Sequence, residues 1–411
     1  MRASVESVRR LAVAKQHLAG MPPRKPSKSD IESLVRDLCY VQWDPVPVVA
    51  PSHLLSIWAR LGRFKPSDLD SLMWVDRKVF EHWTPIASLV LTEDYPLYLT
   101  LMRGYPESLS KSWRNHIAPA RRFIDGHRPL RRRILDELAK GPKRVNEFKD
   151  HDRSAKSPDG WSTASDVTNL LFHMHMQGDV MVVGHEDNQN IWGLTKGFLP
   201  AWTKTKPLDQ ETFEREAAQR AVRALGTAEP YEITYYFVRG RYQNLKGALA
   251  TLQEENVLHR VQVDEFGSKD ERYVHDDDLD LLASLEKDDR EPRLSLIPPF
   301  DNMLAGNKRL KTVFNFEYVR EQFLPKEKRR FGTYVLPIVY GERLIGRIDP
   351  KLDKERETLV INSVHAEPDA PEGKEVATKL ADTIDDLAEF VGAEGVEYAG
   401  PVPALWKGPQ K

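Results

Sequence analysis

Residues 129–195 carry a succession of elements that few folds can accommodate. A basic helix, PLRRRILDELAKG, precedes a short helical piece around VNEFKD and a third helix within WSTASDVTNLLFHMHMQGD. Two β-rich arms, 179–183 and 190–195, then flank a polar tip, His185-Glu186-Asp187-Asn188, which is typical of a β-hairpin. This order of three helices and a hairpin is that of a winged helix, whose third helix can lie in the DNA major groove.

A similar order recurs downstream. TFEREAAQRAVRALG, EITYYFV and RYQNLKGALATLQEENVL predict three helical elements, and HRVQVDEFGSKDERYVH predicts a hairpin with Gly267 at its tip. The N-terminal part also begins with helices, although its wing is not obvious. Its predicted helices are 4–18, 29–38 with Ser27 or Ser29 as N-cap, 52–61, 67–73 and 76–81. Repetition of this kind indicates tandem domains, although many helix–hairpin domains mediate only protein contacts.

The pattern changes to strands from Arg293 onward. RLSLIPPFD, FGTYVLPIVY, ERLIGRID and ETLVINSVH predict an antiparallel meander, a small barrel or curled sheet, with a turn at Gly341-Glu342. A later helix carries an apolar face that can close the sheet on one side: Val376, Leu380, Ile384, Leu387 and Phe390. The prediction is therefore an α+β protein with tandem winged-helix domains at 1–125, 126–205 and 206–290 and a C-terminal β domain at 291–411.

Length and composition limit the class of protein. A chain of 411 residues with 40% apolar and 30% charged residues predicts several folded modules and little disorder. No apolar run reaches membrane-spanning length, so no membrane association is expected. Cys39 is the single cysteine, which excludes an internal disulfide and fits a reducing cytoplasm. Because several domains would already form a cleft, we expect a monomer.

The charge is strongly segregated along the chain, although the net charge is only −2. Residues 111–156 hold fourteen Lys and Arg against six Asp and Glu, whereas 264–291 hold four against twelve. The basic stretch fits a DNA-binding surface or, equally, a solvated helix face. Charge alone does not decide between them.

Familiar signatures of enzymes are scarce. The sequence contains no phosphate-binding glycine loop, HExxH, GxSxG or dinucleotide motif, so no metal, nucleotide or other cofactor is expected. His173 and His175 lie two apart, about 200° around a helix, which is unfavourable for shared metal ligation. His53 and His82 have apolar neighbours that favour buried core histidines, with a site-lining role left open.

The stretch YVQWDPVPVV, residues 40–49, places a carboxylate in an otherwise apolar run. Its two prolines exclude a central strand and predict an edge or irregular extended segment. Gln42 and Asp44 then project on one side, about 7 Å apart, with Trp43 on the other. A carboxylate beside apolar groups persists where it caps backbone, pairs with a cation or performs chemistry. Asp-Pro often starts a turn, so capping and catalysis both remain open.

Several further segments carry a resemblance to a known family. YVQWDPVPVV followed by SHLLSIWARLG, VFEHW, FLPAW, PPFDNML and PKEKRRFGTYVLPIVYGERLIGRID resembles the AlkZ/YcaQ (AlkX) family of bacterial DNA glycosylases, in matching order over about 1–365. The resemblance implies tandem winged helices, a C-terminal β domain and double-stranded DNA with N7-alkylated or crosslinked purines as substrate. The family's catalytic motif, glutamine, an apolar residue, then glutamine or aspartate, falls on Gln42, Trp43 and Asp44.

The resemblance also assigns roles to residues. Asp44 would stabilise the oxocarbenium-like sugar and activate water, and Gln42 would position that water. No lysine is marked as a nucleophile, so monofunctional hydrolysis is expected. The residues predicted to bind DNA are His53, Arg131, Arg132, Lys326, Lys328, Arg329 and Arg330.

Two departures from the family pattern leave the substrate open. Ala50-Pro51 precedes Ser52-His53 where relatives often have a basic residue, and Thr84-Pro85-Ile86 stands where a histidine-containing segment is expected. The alternatives are a non-enzymatic winged-helix regulator of undamaged DNA, in which Asp44 is a turn cap, and a partner-binding protein that has lost activity. In the bacterial cytoplasm a glycosylase of this kind would associate with the nucleoid when it binds DNA.

Overall fold

The computed structural model describes residues 1–84, 86–149, 153–156, 163–187, 189–267, 270–287 and 290–406, with only the backbone of 153–156, 163 and 164. Four parts follow one another along the chain. We call them the first unit (1–103), the second unit (114–198), the third unit (210–284) and the C-terminal region (294–406). Among the described helices, none is long and apolar enough to cross a membrane.

The first unit combines five helices with a small sheet. Its elements are α1 (Val5–Lys15), α2 (Lys28–Leu38), β1 (Val41–Gln42), α3 (Ser52–Leu61), α4 (Pro66–Asp70), β2 (Val79–Trp83), β3 (Ala87–Leu91) and α5 (Tyr95–Arg103), with a π-helical turn at Ser71–Val75. Ser27 begins α2 through a capping box with Asp30, which satisfies two free backbone amides. The predicted N-cap is thus Ser27, and the extended segment YVQWDPVPVV does lie at the edge of the sheet, whose order is β1–β3–β2.

The helix predicted at 76–81 is wrong, because this stretch forms most of strand β2. Val79 pairs with Leu91 and Trp83 with Ala87 in an antiparallel hairpin. β-branched and aromatic side chains suit a pleated surface, and here pairing with the next strand, β3, overrides the local capping signal of Asp76. The β2–β3 hairpin was not predicted from the sequence of this unit.

The second and third units also combine helices with a small sheet that contains a hairpin. The second contains α6 (Arg114–Gly126), α7 (Arg128–Leu138), β4 (Lys143–Arg144), β5 (Arg153–Lys156), β6 (Thr163–Ser165), α8 (Asp166–Met176), β7 (Val180–Glu186), β8 (Gln189–Leu194) and α9 (Thr195–Phe198). The third contains α10 (Gln210–Leu225), β9 (Thr227–Ala228), α11 (Pro230–Tyr236), α12 (Leu245–Glu254), β10 (Leu258–Val261), β11 (Arg272–His275) and α13 (Leu279–Ser284). The predicted order of helices and hairpins is confirmed in both. Parts of the expected helix start and hairpin tips, residues 161–162, 188 and 268–269, lie outside the described residues.

The three small sheets share one topology. In each, a short first strand pairs with the last strand of the hairpin, giving β1–β3–β2, β4–β8–β7 and β9–β11–β10. Each of these short first strands follows a helix and occupies an edge of its sheet. The same backbone plan is therefore used three times along the chain.

The C-terminal region is a curled five-stranded sheet with one long helix. It comprises β12 (Leu294–Leu296), α14 (Asn307–Phe314), β13 (Leu336–Tyr340), β14 (Arg343–Asp353), β15 (Thr358–Ala366), α15 (Lys374–Phe390) and β16 (Gly395–Tyr398). The predicted meander and closing helix are confirmed. The sheet is not wholly antiparallel, however, because β16 joins β15 in parallel. The crossover helix α15 makes that parallel connection possible.

Packing joins these parts rather than isolating them. One hydrophobic core contains both Leu34 of the first unit and Ile338 of the C-terminal sheet, and a second contains both Tyr98 and Phe213. The second unit has a core of its own around Leu170, and Trp74 packs against all three cores. Phe123 of α6 contacts the ring of His173 in α8. The domain borders at 125, 205 and 290 stay a prediction.

A buried polar network lies where the first unit, the third unit and the C-terminal region meet. The fully buried side chains of Arg60 and Asp301 form an ion pair with two hydrogen bonds of 2.6 and 2.8 Å. Arg60 also donates to the backbone of Gln16, whose amide reaches the hydroxyl of Tyr236. Asn302 donates to the carbonyl of Tyr40 at 2.9 Å. The network therefore holds the chain immediately before β1.

Candidate active site

The segment after β1 leaves the sheet and crosses to the C-terminal region. Gln42 pairs with Ser88, and the amide of Trp43 donates to Ala87 at 2.8 Å. The carbonyl of Asp44 then accepts from the amide of Ser52 at 3.0 Å, and that of Val48 accepts from Leu352 of β14 at 3.1 Å. The chain between them is thus fixed at both ends, with Pro45, Val46 and Pro47 exposed.

Asp44 is half-buried in this segment. Its Oδ1 accepts a hydrogen bond from the amide of Val46 at 3.0 Å, the turn-capping contact that Asp-Pro suggested. No residue that the structure describes donates a hydrogen bond to its Oδ2. Burial raises the pKa of the carboxyl, and the Val46 amide partly offsets that rise. Capping thus uses one oxygen and leaves the other available for chemistry.

Gln42 stands two residues before this carboxylate. Its side chain is half-buried, and its amide makes no hydrogen bond to any group within the described ranges. An amide in this state can bind water or a ligand through both its donor and its acceptor. Gln42 and Asp44 thus flank Trp43, and each has side-chain polar atoms without a hydrogen-bond partner within the described ranges.

Trp43 stacks with two histidine rings. The ring of His53 from α3 stacks at 4.0 Å and 20°, and that of His185 from β7 stacks at 5.0 Å and 14°. Glu81 of β2 forms an ion pair with His185. Trp74 approaches the same ring edge-on at 5.6 Å. The first and second units therefore meet at the side chain between Gln42 and Asp44.

His53 is only 5% exposed. Burial lowers its pKa to about 3, although its contact with the Asp44 carbonyl opposes that shift, so the ring is neutral at physiological pH. Its Nδ1 is buried without a hydrogen-bond partner. A neutral, buried ring offers no surface to a phosphate, and the predicted contact of His53 with DNA stays a prediction that this environment disfavours.

A second region of the chain reaches Asp44 from the C-terminal sheet. The buried hydroxyls of Ser52 and Tyr334 lie next to each other without forming a well-aligned hydrogen bond. The pKa of Tyr334 is raised by burial, with a smaller rise from the negative charge of Asp44 and an opposing effect of Ser52. Two buried hydroxyls without hydrogen-bond partners among the described residues therefore lie near the carboxylate of Asp44.

No cluster of three or more His, Cys, Asp or Glu side chains suited to a metal ion occurs in the part of the chain that the structure describes. His173 and His175 have separate partners. Nδ1 of His173 lies 2.8 Å from the Tyr105 hydroxyl, and Nδ1 of His175 lies 3.3 Å from the Val180 carbonyl.

Comparison with known proteins identifies the family. The family model for AlkZ-like DNA glycosylases matches residues 35–390. The chain belongs to the AlkZ-like DNA glycosylase family. It is therefore an enzyme of the DNA glycosylase class whose substrate is DNA, rather than a regulator of undamaged DNA.

A solved structure shares the fold. The Streptomyces sahachiroi DNA glycosylase AlkZ is similar with a TM-score of 0.67 and 17% sequence identity, over 97% of this chain and 99% of that chain. At this identity the likeness concerns the fold. The curled five-stranded sheet and the units around it are thus an arrangement that the two proteins have in common.

The AlkZ-like chain presents one basic loop with exposed charges. Lys326, Lys328 and Arg330 are exposed, and none forms an ion pair with a residue in the described ranges. Arg329 has a different role, because it donates to the Leu324 carbonyl at 3.0 Å and to the Thr333 hydroxyl at 3.0 Å. The loop leads to Tyr334, and so connects exposed cations with the neighbourhood of Asp44.

Buried carboxylates fix this basic loop. Glu321 accepts hydrogen bonds from three consecutive backbone amides, those of Arg330, Phe331 and Gly332, at 2.8–3.0 Å. Asp349 accepts from Thr333 and Tyr334. The exposed cations are thus mounted on an ordered backbone.

Several cations of the basic stretch in the second unit form ion pairs. Arg131 pairs with Asp179 at 2.6 Å, and Lys143 pairs with Glu137 at 2.6 Å. Arg144 pairs with Glu186 at the hairpin tip. Arg132 is exposed and makes no ion pair within the described ranges, so it remains the stronger of the two arginine predictions in α7.

The two departures from the family pattern occupy structural positions. Pro51 precedes the first residue of α3, where its fixed φ suits a helix start. Thr84 is buried and donates to the Phe237 carbonyl at 3.3 Å. Pro85 lies outside the described residues.

Sequence reasoning missed His185 and Glu81 as parts of this site. It placed His185 at the polar tip of a hairpin. The unusual feature was a histidine at that tip together with a glutamate inside the apolar VFEHW stretch. Only the fold shows that these residues meet beside Trp43.

Proposed function

We propose that this DNA glycosylase hydrolyses the N-glycosidic bond of N7-alkylated purines in double-stranded DNA and unhooks crosslinks between such purines. The supporting observation is the half-buried Asp44, which is anchored through one oxygen, open at the other and two residues from the unsaturated amide of Gln42. Ionised, it can stabilise developing positive charge on the sugar and accept a proton from water.

The chemistry of the substrate makes this small catalytic set sufficient. Alkylation at N7 leaves the purine cationic, so its bond to C1′ can break without protonation by a general acid. The bonding pair leaves with the base, the oxygen of water forms the new bond to C1′, and the water proton passes to Asp44. Gln42 orients the water. No lysine is assigned as a nucleophile, so the product is an abasic site.

The three repeated units support DNA binding. Their topology, a helix, an edge strand, further helical elements and a hairpin, is what tandem winged helices would have. We assign phosphate contacts to Lys326, Lys328 and Arg330, with Arg132 on the second unit. Crosslinked bases cannot rotate freely into a deep pocket, so recognition by several units around a monomer suits this substrate better than deep base flipping.

The test is release of N7-methylguanine, and unhooking of a nitrogen-mustard crosslink, by the wild type, Asp44→Asn and Gln42→Ala. Loss of the charged oxygen should lower the rate by at least ~10²-fold, in the range seen when an electrostatic stabiliser is removed. Asp209→Asn is a matched control, because Asp209 is also an aspartate that caps backbone, at the start of α10. If the wild type neither releases N7-methylguanine nor unhooks the crosslink, the proposal is wrong. If Asp44→Asn is fully active, the proposed role of Asp44 is wrong.

A further inference from the structure

The active segment is shorter than the elements that usually fix a catalytic constellation. Strand β1 has two residues and pairs on one side only, and the chain leaves it at Trp43. Gln42 has no side-chain hydrogen bond within the described ranges, and Asp44 has the single contact to Val46. The backbone is held by pairing with β3 and by the hydrogen bond from the Ser52 amide to the Asp44 carbonyl, whereas the orientation of the two side chains depends on the packing around Trp43.

Trp43 is gripped by residues from different units. The ring of His53, from the helix that follows the segment, stacks on the indole at 4.0 Å, and that of His185, from the hairpin of the second unit, stacks on it at 5.0 Å. Two near-parallel stacking contacts restrict movement of the indole. The indole is attached to the Cα between the two peptide units that lead to Gln42 and Asp44, so a fixed indole limits displacement of this part of the segment.

The hairpin is built to deliver His185. A register shift between Val182 and Gly184 in strand β7 re-aims the residues that follow it. The imidazole then pairs with Glu81, which is 8% exposed. Burial raises the pKa of Asp70, at the end of α4, and the nearby His185 partly offsets that rise. Arg144 holds the adjacent Glu186 by an ion pair at 2.9 Å.

We propose that His185 is a positioning residue for the reaction: held by Glu81, it fixes Trp43 and thereby the orientation of Gln42 and Asp44. The active site is then composite, because the first unit supplies the reacting groups and the second unit supplies the ring that aligns them. A DNA-induced movement of the second unit would reach the catalytic segment through this contact. The inference rests on the proposed roles of Gln42 and Asp44.

The test compares His185→Ala with the wild type in single-turnover and steady-state release of N7-methylguanine. Misplacement of a catalytic group by about 1 Å lowers rates by about 10²-fold, so we expect kcat to fall about 10- to 100-fold. KM and the affinity for DNA that carries an abasic-site analogue should remain within about twofold. This split separates positioning from DNA binding.

A rescue variant separates the stack from general damage to the fold. His185→Phe combined with Glu81→Gln restores an aromatic ring on Trp43 without leaving a buried carboxylate unpaired, and we expect it to recover most of kcat. His259→Ala is the matched control, because His259 also belongs to a hairpin and also pairs with an acid, Asp276, at 2.7 Å, but in the third unit. It should keep the wild-type kcat.

Three outcomes would overturn the inference. The first is an unchanged kcat in His185→Ala, and the second is a loss of DNA affinity that accounts for the lost rate. The third is a kcat of the His185→Phe, Glu81→Gln double variant no higher than that of His185→Ala, although circular dichroism and thermal unfolding show that the double variant is folded. Wild type that releases no base would instead overturn the proposed function. The two failures are therefore distinguishable.

Discussion

At the residue scale, Asp44 combines a structural contact with an exposed reactive atom. One carboxylate oxygen caps the Val46 amide, and the other has no hydrogen-bond partner within the described ranges. Burial by its apolar neighbours raises the pKa of this carboxyl, which also makes the ionised form a better proton acceptor. The turn cap and the catalytic base are thus compatible descriptions of the same side chain.

The pH dependence of catalysis follows from this environment. The reaction needs ionised Asp44, so kcat/KM should decline as the pH falls through the pKa of this group, with a slope of one proton. Because burial raises that pKa, the midpoint should lie above the usual range for an aspartate. A pH–rate profile for N7-methylguanine release measures it. A profile that stays flat down to the ordinary aspartate range would contradict the assignment.

The same shift predicts a gain in stability when the charge is removed. A carboxyl whose pKa is raised by folding binds protons more readily in the folded state, so stability declines as the pH rises through the window between its unfolded and folded pKa. Asn at 44 keeps an acceptor for the Val46 amide and carries no charge. Asp44→Asn should therefore be at least as stable as the wild type at pH 7 in urea unfolding.

The control for this measurement is Asp209→Ala. Asp209 is exposed and caps α10. The hydrogen bond that its carboxylate accepts from the Thr212 amide lowers the pKa of Asp209. Loss of such a cap costs about 1 kcal/mol. If Asp44→Asn were destabilised to the same degree, the main role of Asp44 in the folded state would be to cap the Val46 amide. The idea that its charge costs stability in exchange for activity would then be wrong.

At the element scale, local signals in the sequence were sufficient for most helices and insufficient for strands made by distant partners. Ser27 with Asp30 marks the start of α2, and the prolines at 45 and 47 correctly place β1 at an edge. Residues 76–81 were predicted as a helix because the strand character of 79–81 depends on pairing with β3. Strand β16 was missed for the same reason, since GVEY is short and joins β15 only after a helical crossover.

The candidate site shows the same division. Gln42 and Asp44 could be found from their place in an apolar segment and from the family resemblance. The contact of Glu81 with His185 joins residues 104 positions apart and could not. Arg131 and Arg132 are adjacent in sequence and equivalent by composition, yet only the fold shows that Asp179 neutralises the first.

The basic loop allows a test of DNA binding that spares the fold. Lys326, Lys328 and Arg330 are exposed, whereas Glu321 and Asp349 hold the loop through backbone amides. Replacing the three cations by Ala should weaken binding of duplex DNA. The slope of log K against log salt should become shallower by up to about 0.9 for each lost phosphate contact.

Fluorescence anisotropy at several salt concentrations measures this effect. Lys311→Ala is a matched control, because Lys311 is also an exposed lysine of the C-terminal region but pairs with Glu317 at 2.8 Å. It should leave the slope unchanged. An unchanged slope in the triple variant would exclude the loop from the DNA interface and leave Arg132 as the better candidate.

At the scale of the whole molecule, the parts of the chain share buried groups, so catalysis and stability are connected. Arg60 and Asp301 link the first unit to the C-terminal region, and Glu232 lies between Arg272 and Arg309 in a second buried cluster. Breaking such pairs leaves an uncompensated buried charge. The chain before β1 is attached to the first of these networks through the Tyr40 carbonyl. The catalytic segment is therefore anchored to contacts that span the protein.

Buried histidines give this connected structure a sensitivity to acid. Burial lowers the pKa of His53 to about 3 and those of His173 and His175 to about 4, and that of His82 lies well below its usual value. Between these values and the ordinary pKa of about 6.5, the unfolded chain binds more protons than the folded one. Stability therefore declines as the pH falls below about 6.5, by up to about 1.4 kcal/mol per pH unit for each histidine.

The loss of stability caused by the buried histidines can be distinguished from the loss caused by protonation of carboxylates, because the two occur in different pH windows. Carboxyls whose pKa is lowered by an ion pair, such as Glu93 and Glu107, lose stabilisation mainly below pH 5, whereas the histidine effect begins between 6 and 6.5. Urea unfolding at pH 7.0, 6.0 and 5.0 should show it in the wild type. His175→Asn should reduce the pH slope by up to one proton. Equal slopes in His175→Asn and the wild type would mean that His175 is protonated inside the fold, which would contradict the lowering of its pKa by burial.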